Sequence, residues 1–148
     1  MRLSVKAQYG LSAMIYLAQR HPAGECVTVI NLSNELKISK IYLEQVFALL
    51  KRAGLVVSTK GAQGGYQLAL SPKDISACDI LGAIETPLFE KTTSTVTEGN
   101  RYIEQALREA VYEPLDNGVK QLLAGVTLEA LVTKTQKQSW EDGFMYYL

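Results

Sequence analysis

The sequence predicts a mainly α fold with a small β-hairpin wing: a winged helix-turn-helix plus a C-terminal dimerisation helix. Three observations predict it. Between Thr28 and Leu70 the chain reads TVINLSNELKISKIYLEQVFALLKRAGLVVSTKGAQGGYQLAL, which parses as helix, tight turn, helix, strand, glycine-rich turn, strand. Basic side chains gather in the same half. Residues 1–70 hold eight Lys/Arg against three acids, a balance of +5, and because the 148-residue chain is neutral overall the remainder carries −5. Third, an apolar stripe from Ile103 to Leu123 is longer than one small domain needs for its own core, which invites a second copy.

Ser4 opens an amphipathic helix running to about His21, with Ala7, Leu11, Met14, Ile15 and Ala18 inward. A loop comes next, marked by Pro22 and Gly24. It carries His21 and Cys26, but no third group to orient a thiol-imidazole pair, so a thiol enzyme is the weakest of the functional readings. Cys26 beside the DNA-reading unit is a candidate redox-sensing thiol, with a small, partly buried structural residue as the bland alternative. Thr28 caps the next helix, whose inward stripe is Val29, Leu32 and Leu36. The turn after it holds Lys37 where many helix-turn-helix units place glycine, and a positive φ there would strain the backbone by about 1 kcal/mol.

The second helix of the motif has the clearest local signals. Ser39 stands at the N-cap position, its hydroxyl able to accept from the Tyr42 amide, and Ile38 and Leu43 have the spacing of a hydrophobic staple. Leu43, Val46, Phe47 and Leu50 form one buried stripe, and Gly54 stops the helix after Lys51 and Arg52. Opposite that stripe stand Ser39, Lys40, Ile41, Tyr42, Glu44 and Gln45. These suit a major groove: Lys and Ser for phosphate or guanine, Gln for adenine, Glu for the cytosine amino group and Ile for a thymine methyl. The same residues would also make an ordinary solvated helix face. The wing tips the balance toward DNA. Leu55 to Thr59 and Tyr66 to Leu70 alternate as strands around Lys60-Gly61-Ala62-Gln63-Gly64-Gly65, a hairpin whose tip lets backbone approach a partner closely at Gly61 and Gly64, with Lys60 at its base to meet phosphate or the minor groove. A nucleotide-binding P-loop is rejected, because strand residues rather than a helix come after the glycines.

The segments MRLSVKAQYGLSAMIYLA, ISKIYLEQVFALLKRAGLV and STKGAQGGYQL together resemble the bacterial winged-helix regulators of the Rrf-two family. The likeness is strong over the first half and one of layout over the second. It implies a dimeric DNA-binding transcription factor, with Lys6 and Tyr9 placed where the family's first helix approaches the DNA backbone; a solvated face is the alternative for these two. Members that hold an iron-sulfur cluster do so through three closely spaced cysteines between the helix after the wing and the dimerisation helix. Here that region reads ETPLFEKTTSTVTEGN and has no cysteine, so the cluster ligands are absent and no cofactor is carried over. The two cysteines, Cys26 and Cys78, form neither a CxxC nor a zinc pattern, and no metal site is expected.

After the wing, Ser71-Pro72 ends the strand and Ser76 caps a short helix through Glu85, with Ile80, Leu81 and Ile84 inward and Cys78 in its first turn. Pro87 to Asn100 is polar and rich in Thr and Ser, a mobile loop by composition. From Arg101 to about Ala124 the helical stripe returns, with Pro114 and Asp116-Asn117-Gly118 pointing to a kink or break, Pro114 as a first-turn residue of a second segment, and packing against the winged domain as the alternative to dimerisation. A short helix lies after Thr127, and the apolar ending with Trp140, Phe144, Met145, Tyr146 and Tyr147 should fold back on the protomer or across a dimer. An aromatic ending is also similar to a branch of the family that governs cysteine metabolism.

The organisation expected is a winged helix-turn-helix over residues 1–85, a polar loop over 86–100, and a dimerisation helix and tail over 101–148. No apolar run reaches a membrane span and no secretory signal opens the chain, so a cytoplasmic protein is expected. The function expected is a non-enzymatic, sequence-specific transcriptional regulator, a repressor binding a pseudo-palindromic operator in double-stranded DNA as a homodimer. The alternative is a winged-helix interaction module docking a partner enzyme, and a small-molecule effector stays open as a further partner.

Overall fold

Capping and periodicity set the helices of the computed structural model, which describes residues 2–95 and 99–146. Helix α1 (Val5–Arg20) starts where the Ser4 hydroxyl accepts from the Ala7 amide at 3.1 Å, and α2 (Val29–Leu36) where the Thr28 hydroxyl accepts from Asn31 at 3.1 Å. Lys37 then takes the left-handed conformation, φ 56° and ψ 42°, the strained turn expected at its position. The Ser33 hydroxyl donates to the Ile38 carbonyl at 2.7 Å across this turn, so a side chain holds what the backbone disfavours.

Helix α3 (Lys40–Arg52) buries Leu43, Val46, Phe47 and Leu50 as its spacing requires. Its start differs from expectation: Ser39 is the N-cap residue, but its hydroxyl makes no capping bond, and only its carbonyl engages, accepting from Leu43 at 3.0 Å. Its backbone, at φ −55° and ψ 129°, serves the cap position without the side chain. The end is a full Schellman closure: Gly54, at φ 77°, donates to Lys51 O and Leu55 donates to Leu50 O, each at 3.0 Å.

Strands β1 (Val56–Thr59) and β2 (Gly65–Leu68) pair antiparallel in the register Val56 to Leu68 and Thr59 to Gly65. A third piece of backbone joins them. Val27 donates to Tyr66 O at 2.9 Å and accepts from Tyr66 N at 2.7 Å, tying the loop before α2 to the wing. Gly65, at φ 141°, makes this contact possible, since a Cβ there would lie 2.7 Å from the Val27 carbonyl carbon and oxygen. One core unites these parts. Phe47, Met14, Leu32, Leu43, Leu50, Ile75 and Ile80 are fully enclosed within it.

Helix α4 (Ala77–Ile84) begins with a reciprocal capping box between Ser76 and Asp79, at 2.9 and 3.0 Å, and packs on α1 and α3. The described part of the polar stretch after it is tied to the helix beyond at Thr92. Thr86–Phe89 forms a 3₁₀ turn, and Thr92 clasps Asp116 twice, its amide donating at 3.0 Å and its hydroxyl at 2.9 Å. These bonds, the backbone amide of Thr92 foremost, hold the Asp116 carboxyl below the ordinary carboxylate range. Nearby, the Ser94 hydroxyl first and Arg108 second do the same for Glu104, which Arg108 meets at 2.9 Å.

Helix α5 (Arg101–Leu107), a π-turn (Arg108–Tyr112) and α6 (Glu113–Ala124) run on without interruption. In place of an outright break there is a π-turn, after which Pro114 is a first-turn residue of a second segment, as expected. The π-turn sends the Glu113 amide five residues back to Arg108 O, and Pro114, in the first turn of α6, needs no donor there. Asp116, Asn117 and Gly118 are helical. None of the residues of α5, the π-turn or α6 is buried.

The ending also departs from expectation. Instead of a short helix and a tail folded back on its own protomer, α7 (Leu128–Tyr146) is one 19-residue helix, which leaves packing across a dimer open to its far end. Its start belongs to the winged core: Leu128 is fully buried, Leu128 N donates to Ile75 O at 2.8 Å, and Gln19 donates to Thr135 at 3.1 Å. Its far end stays in solvent, with Trp140 stacked on Phe144 at 5.4 Å and both, like Met145, exposed. Tyr147 lies outside the described residues.

Candidate nucleic-acid interface

The α3 sequence splits its side chains between two surroundings. Leu43, Val46 and Phe47 have no exposed area, while Ser39, Lys40, Ile41, Tyr42, Glu44 and Gln45 all stand in solvent. Ile41 at 68% and Tyr42 at 48% exposure are large apolar groups held outward by a rigid helix, an arrangement that folding alone does not call for. Lys40 and Glu44 face each other at 3.8 Å on the exposed side; such a pair is weak and opens readily to a partner.

Two of the expected contacts on α1 are brought to this surface unequally. Tyr9 is half-buried and meets Tyr42 edge-on, with ring centroids 6.1 Å apart, so α1 braces the first turn of α3. Lys6 is half-buried in the first turn of α1, where no acidic side chain accompanies it.

The wing is fixed to α3 by side chains whose pairing the sequence does not reveal. Phe47 stacks on Tyr66 at 4.4 Å, and Lys51 Nζ donates to Ser58 Oγ at 2.8 Å. By position Lys51 is a cation at a helix C-terminus, and nothing in the spacing links it to Ser58. At the tip, Lys60 and Gly61 are exposed and Gly61 has open space around it. Gly64 has a role inside the hairpin: a Cβ there would lie 2.1 Å from Thr59 O. Cys26 is a half-buried free thiol immediately before Val27, the residue bridged to the wing.

A helix-turn-helix with a clasped hairpin, an outward polar helix face and a basic half is the architecture of a DNA-binding regulator. The Rrf2 family, described as "Iron-dependent Transcriptional regulator", matches residues 3–134. The chain belongs to the Rrf-two family. This Rrf-two protein is 33% identical over 148 residues to the HTH-type transcriptional regulator CymR of Bacillus subtilis, covering 100% of both chains. It is 30% identical over 142 residues to the HTH-type transcriptional regulator IscR of Aliivibrio salmonicida, covering 96% of this chain and 83% of that one. Among solved structures, CymR, the global cysteine regulator of B. subtilis, superposes with a TM-score of 0.75 at 31% identity, over 90% of this chain and 98% of that one. The T. potens IscR structure gives 0.74 at 33% identity, over 99% and 97%. This Rrf-two protein is a winged-helix, DNA-binding transcriptional regulator and not an enzyme. Among its described residues no helix is long and apolar enough to cross a membrane.

The chain has two cysteines and one histidine, and among the described residues no three His, Cys, Asp or Glu side chains converge as ligands.

Proposed function

We propose that this regulator is a homodimeric repressor that occupies a pseudo-palindromic operator and does so without an iron or cluster cofactor. The observation that carries the reading is the exposed first half of α3, with Ile41 and Tyr42 held outward beside Ser39, Lys40, Glu44 and Gln45. In a major groove Gln45 reads adenine, Glu44 a cytosine amino group and Ile41 a thymine methyl, while Ser39 and Lys40 reach phosphate or guanine. Lys6 and Tyr9 meet the backbone from α1. Lys60 and the Gly61 tip track the flanking phosphates or the minor groove, with Gly64 closing the hairpin behind them.

Dimerisation is supported by the exposure of Ile103 at 53%, Val111 at 48%, Leu115 at 52% and Leu122 at 72%, a helical row with no partner among the described residues. Two-fold pairing would repeat the reading surface, and a body seated across the groove of a promoter excludes other proteins from it. Such a protein works in the cytoplasm, where the chromosome is. Oxidation of Cys26 would be felt at the adjacent Val27–Tyr66 bridge, which gives the wing a route to redox control.

The test is a salt series on the operator. Gln45→Ala should relax preference at one base position by about 1–3 kcal/mol. Lys60→Ala should weaken binding to all duplexes and lower the magnitude of the salt slope by about 1. Unchanged affinity in both variants across the series would remove the assigned surface. Binding that ignores salt altogether would instead favour a protein-docking module.

A further inference from the structure

We propose that the cavity between the Thr86–Phe89 turn, the Lys91–Thr92 segment and α6 binds a small zwitterion of the amino-acid class, and that its occupancy is transmitted through the adjoining π-turn to the exposed apolar face of α6. Transmission rests on the dimeric reading above; binding does not.

The cavity has a volume of about 240 Å³, and its walls come from two sources. Phe89 and Lys91 project from the loop, while Arg108, Glu113, Asn117 and Lys120 come from the helix. The remaining wall is Asp116, whose two oxygens are both taken by Thr92, so the clasp that closes the loop onto α6 also forms one side of the pocket. The volume lies below the roughly 300–1,000 Å³ of pockets for drug-sized ligands, which limits the occupant to a small metabolite.

Charge identifies its class. Arg108 is engaged by Glu104 at 2.9 Å and Asp116 by Thr92, so neither is available to a ligand without breaking a bond. Among the described residues Lys91 makes no ion pair and the Glu113 carboxylate has no hydrogen-bond partner, while the Lys120 ammonium, also outside any ion pair, acts on the Asp116 carboxylate and helps hold it ionised. One uncommitted ammonium group, Lys91, and one uncommitted carboxylate, Glu113, line the same space, with Lys120 shared between Asp116 and the cavity. A ligand carrying both a carboxylate and an ammonium group answers each of them. A dianion would leave Glu113 opposed by like charge, and a simple cation would meet the lysines. Phe89 and the Asn117 amide supply an apolar wall and a neutral donor and acceptor for a short side chain.

The same helix has two faces and a register defect between its halves. Glu113, Asp116, Asn117 and Lys120 fall in the i, i+3, i+4, i+7 pattern on the cavity side, Gly118 and Leu122 lie on the opposite side, and Leu115 stands at the edge between them, lining a neighbouring cleft with Pro87 and Leu88. Arg108 opens the π-turn and Glu113 comes directly after its last residue, so both limits of the defect line the cavity. A π-turn holds one residue more than the α-helix it interrupts, and its migration or loss rotates the helix on one side relative to the other. A ligand drawing Glu113 and Lys120 together acts on that register and thus on how Leu115 and Leu122 are presented.

The experiment is calorimetric titration of the full-length protein with each of the twenty standard amino acids, sodium acetate, methylammonium chloride and inorganic phosphate, and then operator titrations in their presence. At least one amino acid should bind saturably while acetate, methylammonium and phosphate do not. Lys120→Gln and Glu113→Gln should each weaken that binding at least tenfold, whereas Lys137→Gln, on α7, should not. The bound amino acid should change operator affinity several-fold in the wild type and not in Lys120→Gln. Failure of every amino acid to bind, or equal binding of acetate or phosphate, overturns the site. Binding without any effect on operator affinity overturns the transmission. Operator binding by the ligand-free protein tests the DNA-reading assignment separately.

Discussion

Replacing Gly65 by alanine should detach the wing, and the size of the effect can be worked from its surroundings. A Cβ at this position would lie 2.7 Å from both the carbonyl carbon and oxygen of Val27 and 3.0 Å from its nitrogen, all of them backbone atoms that cannot swing aside. Relief requires the Val27 segment to move off Tyr66, which forfeits hydrogen bonds of 2.9 and 2.7 Å. At about 0.5–1.5 kcal/mol for each lost bond and about 1–3 kcal/mol for an L-residue held at φ 141°, the variant should be destabilised by about 3 kcal/mol. Urea unfolding monitored by circular dichroism, at one fixed protein concentration, reads this as a midpoint lowered by about 1–2 M for a slope of about 2 kcal/mol per M. Gly61→Ala is the comparison. It has positive φ, 107°, but open space where its Cβ would go, so it carries strain alone and should cost about half as much. A Gly65→Ala midpoint equal to wild type, or equal losses in the two variants, would refute the claim that close approach to Val27 fixes this residue.

Other expectations rest on the same geometry. Lys37→Gly should raise stability by about 0.5 kcal/mol, since relief of left-handed strain exceeds the entropy cost of glycine in the unfolded chain; a lower unfolding midpoint would contradict it. Because the Asp116 carboxyl is held below its ordinary range in the folded protein, its clasp with Thr92 stabilises fully above that range and is lost as pH falls through the depressed value. Thr92→Ala should therefore lie below wild type in stability at neutral pH and converge with it in acid; a gap that persists at low pH would rule out the carboxylate as the cause. Leu115→Asp combined with Leu122→Asp should leave the winged core folded while yielding a monomer by sedimentation, and a persistent dimer would place the interface elsewhere.

The parts of the fold that are legible in the chain are those where independent local signals coincide. On α3 the buried period of Leu43, Val46, Phe47 and Leu50 ends in a glycine that closes a Schellman motif, and in the wing two alternating runs flank a glycine cluster. The features that escape are non-local or degenerate. A one-residue strand such as Val27 has no alternation to detect, and the Lys51–Ser58 bond joins residues whose proximity only the folded hairpin creates. Ser39 has the composition of a cap but is satisfied through its carbonyl alone. Pro114 marks the first turn of a second segment and holds that place, but the π-turn that joins the two segments without a gap has no signature in the sequence. The segment from Thr133 to Ser139 shows no apolar period because most of it faces water, so α7 looks shorter in sequence than it is. For the interface, the outward residues of α3 and the wing tip are legible, whereas the bracing of Tyr42 by Tyr9 and of the wing by Phe47 becomes visible only with the core assembled.

Nuclease protection of genomic DNA by the purified protein tests the central assignment most directly. Two protected half-sites related by a dyad, with centres about 10–10.5 base pairs or a multiple of that apart, are expected, fading as salt rises. Exchange of Gln45 should alter the preferred base within each half-site. Protection of a single unsymmetrical site, or none even in dilute salt, would contradict the account.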